Sequence, residues 1–155
     1  MIFSDSHGAV APMLDIAERE QPDEIFHLGD YLRDAETLSF AFPKIPIVTV
    51  PGNCDGWTKQ PGQLLLEREG VRLLLAHGHQ WRVKSGPACA LAAARQVGAD
   101  VLLYGHTHQA VCGREGELWM MNPGTVGGWR AGASYGVLEI MDGVPQCSVL
   151  PVSSH

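Results

Sequence analysis

The sequence predicts an α/β fold with a largely parallel sheet covered by helices. Short apolar runs alternate with helical periodicities through the first fifty residues or so, and glycine-flanked polar clusters follow the apolar runs directly. A length of 155 residues is that of one ordinary domain, residues 1–155, able to bury a large core without disulfides or a structural metal.

Met1 to Ser4 reads as a short first strand. Val10, Met13, Leu14 and Ala17 then recur at helical spacing, with Pro12 in the first turn, where its missing N–H leaves no bond unmade. Glu24 to Leu28 reads as a second strand and Asp34 to Phe42 as a short helix stopped by Pro43. Ile47 to Val50 is a third strand, ended by Pro51-Gly52. A β-α-β-α-β opening is the pattern of parallel strands joined by crossover helices. Further on, Leu64 to Glu67 and Val71 to Ala76 flank Glu69-Gly70 and predict a hairpin. Ser85 reads as the N-cap of an alanine-rich helix from Pro87 to Val97, and Gly98 as its stop. Val101 to Tyr104 is a buried strand, and Ala110–Cys112, Leu118–Met121, Tyr135–Ile140 and Cys147–Val149 complete the set.

Composition excludes several classes. A net charge of −6 argues against a broad basic face for gripping nucleic acid. Cys54, Cys89, Cys112 and Cys147 are scattered, with no C-x-x-C pair, which removes zinc knuckles and thioredoxin motifs. Asp5 and His7 interrupt the N-terminus at once, so no secretory signal is expected, and no apolar run approaches membrane-spanning length. Reduced thiols in a cytoplasm are the simplest reading.

The polar clusters carry the chemistry. Asp5-Ser6-His7-Gly8 follows the first strand, Gly29-Asp30 the second and Gly52-Asn53-Cys54-Asp55 the third. His77-Gly78-His79 and Gly105-His106-Thr107-His108 follow two later strands. Ligands of open α/β sheets bind at the C-terminal edge of the strands, so these clusters can converge despite their separation in sequence. They supply carboxylates, an amide oxygen and imidazoles, a donor set that suits manganese, iron, zinc, cobalt or nickel. Pairs at i and i+2, Asp5/His7 and His106/His108, can flank one ion where the chain is extended. Two ions about 3.5–4 Å apart clamp a phosphate and activate a bridging water. Holding them that close calls for a bridging carboxylate, and Asp30 is the best candidate. Two divalent ions bring more positive charge than Asp5, Asp30 and a bridging hydroxide remove, so a phosphate anion is favoured even on a chain of net negative charge.

These clusters, in this order, resemble the calcineurin-like metallophosphoesterase superfamily, and the short length resembles its small YfcE-like phosphodiesterase branch. The likeness extends through Gly98-Ala99-Asp100-Val101, Asn122-Pro123-Gly124-Thr125 and Ser134-Tyr135 to Ile140. It implies a four-layer α/β/β/α sandwich of two mixed sheets flanked by helices. It also implies that Asp5, His7, Asp30 and His108 hold one divalent ion and Asp30, Asn53, His77 and His106 the other, with a metal-bridging hydroxide as nucleophile. Manganese is the first expectation for both. The expected partner is a small phosphate ester; nucleic acid enters only as a substrate, no membrane is involved, and association into a homo-oligomer is compatible with the family.

Three departures stand out. Many larger relatives place a histidine after the motif asparagine, where it protonates the leaving group, whereas this chain has Cys54. A neutral thiol is a poor substitute for an imidazolium acid, which points to a modest catalyst favouring good leaving groups and diesters. The first strand is very short, and Tyr31–Ala35 and Gly56–Gly62 follow no ligand pattern, so substrate choice can be set there. Of the remaining residues, His79 is a candidate for the catalytic set, with a phosphate contact, support of a ligand or a loop cap as its roles. His27 reads as buried and hydrogen-bonded, Asp55 as a turn cap, and Asn122 to Thr125 as a loop-shaping segment. Arg130 reads as solvent-exposed, His155 as a disordered end, and Trp57, Trp81 and Trp129 as core or subunit contacts more readily than a ring pocket. The rival functions are a non-catalytic metal-binding scaffold, as in the retromer subunit that resembles these enzymes, and a phosphomonoesterase.

Overall fold

The computed structural model describes residues 1–128 and 132–153. In chain order the elements are β1 (Ile2–Phe3), α1 (Val10–Glu20), β2 (Ile25–His27), α2 (Leu32–Ala41), β3 (Ile47–Thr49), β4 (Gln63–Arg68), β5 (Val71–Ala76), α3 (Ala88–Gln96), β6 (Val101–Leu103), β7 (Ala110–Glu115), β8 (Leu118–Pro123), β9 (Ser134–Met141) and β10 (Val144–Pro151). The strands form two mixed sheets, ordered β10-β9-β1-β2-β3 and β4-β5-β6-β8-β7.

Each element follows from its residues. Met13, Ile16 and Ala17 sit three and four apart and form the buried face of α1. Ala90, Leu91 and Ala94 do the same for α3. β4 alternates exposed and half-buried residues, as an edge strand with one wet face must. Its partner β5 is apolar and buried apart from Arg72. The two-residue turn between them has both Glu69 (φ 51°) and Gly70 (φ 78°) in the left-handed region, the backbone that matches strand twist in a tight hairpin.

Three apolar layers hold the molecule together. Ile2, Phe26, Leu28, Val50, Leu73 and Leu103 meet between the sheets. Phe3, Ile25 and Val126 pack with Met13 and Ile16 of α1 and Leu38 of α2, outside the first sheet. Leu74, Leu102 and Met120 pack with α3 and Trp81 outside the second. The result is helix, sheet, sheet, helix.

Two expectations are corrected. The sheet is not largely parallel, as the opening pattern alone suggests, but one of two mixed sheets, as the resemblance implies. β1, β2 and β3 are parallel, but β9 returns antiparallel beside β1 and brings β10 with it, so the C-terminal strands complete the first sheet. Ser85 does not cap α3. It lies in a 3₁₀ turn, Val83–Ser85, and the cap position is Pro87, without a side-chain bond. Gly98 does follow the end of α3 with left-handed backbone (φ 65°), its N–H bonded to Arg95 O. β1, β2, β3, β5, β6 and β8 all deliver their C-terminal ends to one edge, and their loops meet there.

Candidate metal centre

The loop after β1 and the loop after β6 approach each other so closely that Gly105 has no room for a side chain: a Cβ there would collide with Ser4 Oγ and lie 2.8 Å from Asp5 Oδ2. Asp5, His7, Asp30 and His108 each offer one ligand atom, and these atoms lie within 4.8 Å of one another. His108 Nε2 is 3.1 Å from Asp5 Oδ1, and His7 Nε2 is 3.5 Å from Asp30 Oδ2. Asp30 Oδ2 is also 3.5 Å from His77 Nε2. Around His77, Asn53 Oδ1 stands at 3.1 Å and His106 Nδ1 at 3.2 Å. All seven ligand-type residues read from the sequence therefore sit in one place.

The backbone achieves this differently from the expected extended i, i+2 pairs. Asp5, His7, Asp30, His106 and His108 all have positive φ, between 44° and 70°. Non-glycine residues rarely accept that conformation, and such outliers gather at functional sites. His106 and His108 consequently diverge, one toward His77 and the other toward Asp5, instead of flanking one point.

The donor chemistry fits cations. Asp5 Oδ1 and His7 Nε2 are buried and make no hydrogen bond. His77 Nδ1 lies 2.8 Å from Leu28 O, an acceptor only, so the proton is on Nδ1 and Nε2 faces inward as a lone pair. Facing it, Asn53 Oδ1 and Asp30 Oδ2 are acceptors, and at most His106 Nδ1 can bring a proton. Lone pairs aimed at one another are repulsive until a cation lies between them. Protonation follows the same logic. Burial, His77 and Lys84 push His106 down to about 4, which keeps it neutral. Burial tends to raise the Asp5 carboxyl, but the close approach of His108 and the hydrogen bond from Ser4 outweigh it and hold it low. The nearby Asp5 carboxylate in turn raises His108.

Two carboxylates that build this framework were not legible as such. Asp34, buried at the start of α2, accepts from Ser6 Oγ (2.7 Å) and Gly8 N (2.8 Å), pinning the loop that carries Asp5 and His7. Asp55 accepts from three backbone N–H groups, Asp30 (2.9 Å), Leu32 (2.7 Å) and Gly52 (2.8 Å), and so ties the β2 loop to the β3 loop. Its capping role exceeds the local turn expected of it. Thr125 Oγ1 donates to Asp5 O (2.8 Å), and Asn122 Nδ2 donates to Gly105 O and Thr107 Oγ1, both at 2.9 Å, which is the loop-shaping role read for that segment.

His27 is fully buried, as read. Its ring nitrogens meet Ser6 Oγ at 3.0 Å and Gly29 N at 3.3 Å. Ser6 spends its own proton on Asp34, so His27 Nε2–H donates to Ser6 and Nδ1 accepts from Gly29, a neutral ring fully used. Burial lowers its pKa from 6.5 to about 4. The unfolded chain therefore takes up the proton first as pH falls. Stability present above pH 6.5 is lost on the way down to pH 4, by about 3 kcal/mol for the full interval. Urea midpoints of wild type and His27→Gln, measured with chelator between pH 7 and 4.5, should converge or cross as acid is added; parallel curves would contradict this.

His79 stands exposed at the rim, its ring 5.5 Å from His77 and 6.1 Å from His106. Burial and His77 lower its pKa. Trp81 is core, as expected, but Trp57 is 86% exposed, which corrects a core reading for it. Trp129, Arg130 and His155 lie outside the described residues. A cavity of about 810 Å³ opens at the opposite end of the strands, lined by Met1, Glu24, Leu73 and Val137–Met141, and no ligand candidate borders it. The chemistry, not cavity size, locates the site.

Comparison with known proteins agrees. The family model of the calcineurin-like phosphoesterase superfamily domain matches residues 1–143. The probable metallophosphoesterase YsnB of Bacillus subtilis is 35% identical over 131 residues, covering 81% of this chain and 73% of that protein. Phosphodiesterase YfcE of Escherichia coli is 32% identical over 167 residues, covering 90% and 86%. The YfcE structure superposes with a TM-score of 0.68 at 26% identity over 99% of this chain and 98% of its own. A conserved protein of Streptococcus pneumoniae TIGR4 gives 0.78 at 26% identity, covering 97% and 87%. No helix among the described residues is long and apolar enough to cross a membrane. With a metal-ligand cluster at the strand edge and matches of this extent, the chain belongs to the calcineurin-like phosphoesterase superfamily and is a metal-dependent phosphoester hydrolase.

Proposed function

We propose that this chain is a phosphodiesterase with a binuclear centre. The observation that carries the reading is Asp30 Oδ2, which lies 3.5 Å from His7 Nε2 and 3.5 Å from His77 Nε2 and so stands at the junction of two donor groups. Asp5, His7, Asp30 and His108 would hold one ion, and Asp30, Asn53, His77 and His106 the other. When bound, such a pair supplies Lewis-acid charge for the phosphate and a hydroxide nucleophile at neutral pH. The chain's own part is to orient His77 through the Leu28 carbonyl and to keep His106 neutral. His79, at the rim with a lowered pKa, is positioned to exchange a proton with the leaving oxygen. The mixed oxygen and imidazole set supports manganese, with nickel, iron, cobalt or zinc able to substitute. Cysteines without disulfides support a cytoplasmic setting.

The test is a screen of phosphate mono- and diesters with the protein loaded with manganese, alongside metal analysis. Turnover of an activated diester, its loss with chelator and two ions per chain are expected. One ion per chain, or a metal-loaded protein inert on every ester, would reject the reading.

Cys54 sharpens the substrate expectation. Its N–H donates to Asp30 Oδ1 (2.9 Å) and its Sγ lies 3.6 Å from Asn53 Nδ2, so the residue stands beside the centre. Burial and the neighbouring Asp30 and Asp55 raise its pKa, which keeps the thiol neutral and acidity weak. Cys54→His should raise kcat on esters with poor leaving groups by about tenfold or more relative to p-nitrophenyl esters. An unchanged mono- to diester preference would discredit the argument.

A further inference from the structure

We propose that Tyr31 sets the preference for the non-leaving arm of the substrate, its ring receiving an aryl or nucleobase-like ring; this rests on the phosphodiesterase reading above. Tyr31 follows Asp30 directly, and its ring packs against that of His7 at a centroid distance of 5.1 Å and an angle of 67°. Asp30 is buried and His7 half-buried, yet Tyr31 is 39% exposed, so the ring borders the approach to the centre without belonging to the core. Its presentation is rigid. Tyr31 has φ 71°, uncommon for a bulky residue, and Asp30 before it has φ 60°. The Asp55 carboxylate grips the N–H groups on either side, those of Asp30 and Leu32, and Tyr31 O accepts from Asp34 N at 2.9 Å. A large aromatic held in a strained conformation by a dedicated carboxylate, at the mouth of a metal cluster, offers a fixed apolar surface beside a charged one.

A diester presents matching chemistry. Its phosphate seeks the cations, one oxygen leaves, and the other carries an arm that only needs a resting place. A phenol ring gains by offset or edge contact with another ring. Trp57 is too exposed, at 86%, to provide a comparable fixed surface.

The test uses two diesters that share the p-nitrophenolate leaving group and differ only in the retained arm, phenyl or methyl. Steady-state constants and metal content are measured for wild type, Tyr31→Phe and Tyr31→Ala. Wild type and Tyr31→Phe should show a KM for the methyl ester about fivefold to tenfold above that for the phenyl ester. In Tyr31→Ala that ratio should fall toward one while the ratio of the two kcat values holds. A KM ratio in Tyr31→Ala equal to that of wild type overturns the proposal. So does a loss of bound metal in Tyr31→Ala, which would make Tyr31 a support for His7. Wild-type turnover of both esters without arm preference rejects this proposal alone. Turnover of neither rejects the phosphodiesterase reading and the proposal with it.

Discussion

Asp30→Ala is expected to remove bound metal and to lower kcat/KM by about a thousandfold or more, with little loss of fold stability. The carboxylate is buried, and Oδ2 is equidistant, at 3.5 Å, from imidazole nitrogens of the two donor groups. Asp5 Oδ1 is farther from His77 Nε2, at 3.8 Å, so removing the Asp30 carboxylate reaches both groups at once. Stability should behave differently from activity. Without cations, the ligand atoms of Asp5 and Asp30 lie within 4.8 Å of each other among inward-facing lone pairs, an arrangement that costs free energy. Deleting one carboxylate relieves that repulsion but leaves Cys54 N without its acceptor, and the two effects offset to within about 1 kcal/mol. The metal-free melting temperature should therefore change little, while the rise in melting temperature that manganese gives wild type should vanish. Elemental analysis, melting curves with and without metal, and turnover of an activated diester check each part. An Asp30→Ala protein that keeps two ions or full turnover would be fatal to the assignment.

The clustering of ligand-type residues was legible because metal chemistry restricts residue type. Few functions place Asp, Asn and His beside glycine after successive strands, and the α/β edge rule then brings them together. The fold class was legible through β1 to β3 because crossover connections leave periodic helices between apolar strands. The return of β9 and β10 to the first sheet was not, since nothing in Ser134–Met141 names the neighbour it will pair with; β1 accepts it only because its other flank is free. Backbone conformation at the site was also hidden. Extended pairs were expected at Asp5/His7 and His106/His108, yet all four residues are left-handed, a state dictated by tertiary bonds such as His106 N to Asp5 Oδ2 at 3.0 Å. Asp34 and Asp55 escaped for a related reason. A carboxylate accepting backbone N–H groups from a distant loop looks in sequence like any helix-start or turn aspartate.

Asp55→Ala should weaken metal binding by about tenfold to a hundredfold and lower stability by about 2–4 kcal/mol, although Asp55 is no ligand. Its two oxygens satisfy three N–H groups from two loops. One belongs to Asp30 itself, one to Leu32 at the first turn of α2, and one to Gly52, where a Cβ would strike Asp30 Oδ1. The Leu32 bond also serves as the missing cap of α2, because Tyr31 at the cap position makes no side-chain bond. Removing the carboxylate leaves donors near the centre unpaired and frees the left-handed backbone of Asp30 and Tyr31 to relax. Asp30 then no longer aims at both donor groups, and metal affinity falls without loss of a ligand. Asp55→Asn is the discriminating variant, since its single remaining acceptor oxygen can serve Leu32 or the Asp30–Gly52 pair but not both. Its stability and metal affinity should fall between those of wild type and Asp55→Ala. Manganese titrations and urea unfolding of the metal-free proteins measure the two quantities separately. Wild-type affinity in Asp55→Ala would mean that the loop after β2 holds its shape unaided, and the framework role of Asp55 would have to be abandoned.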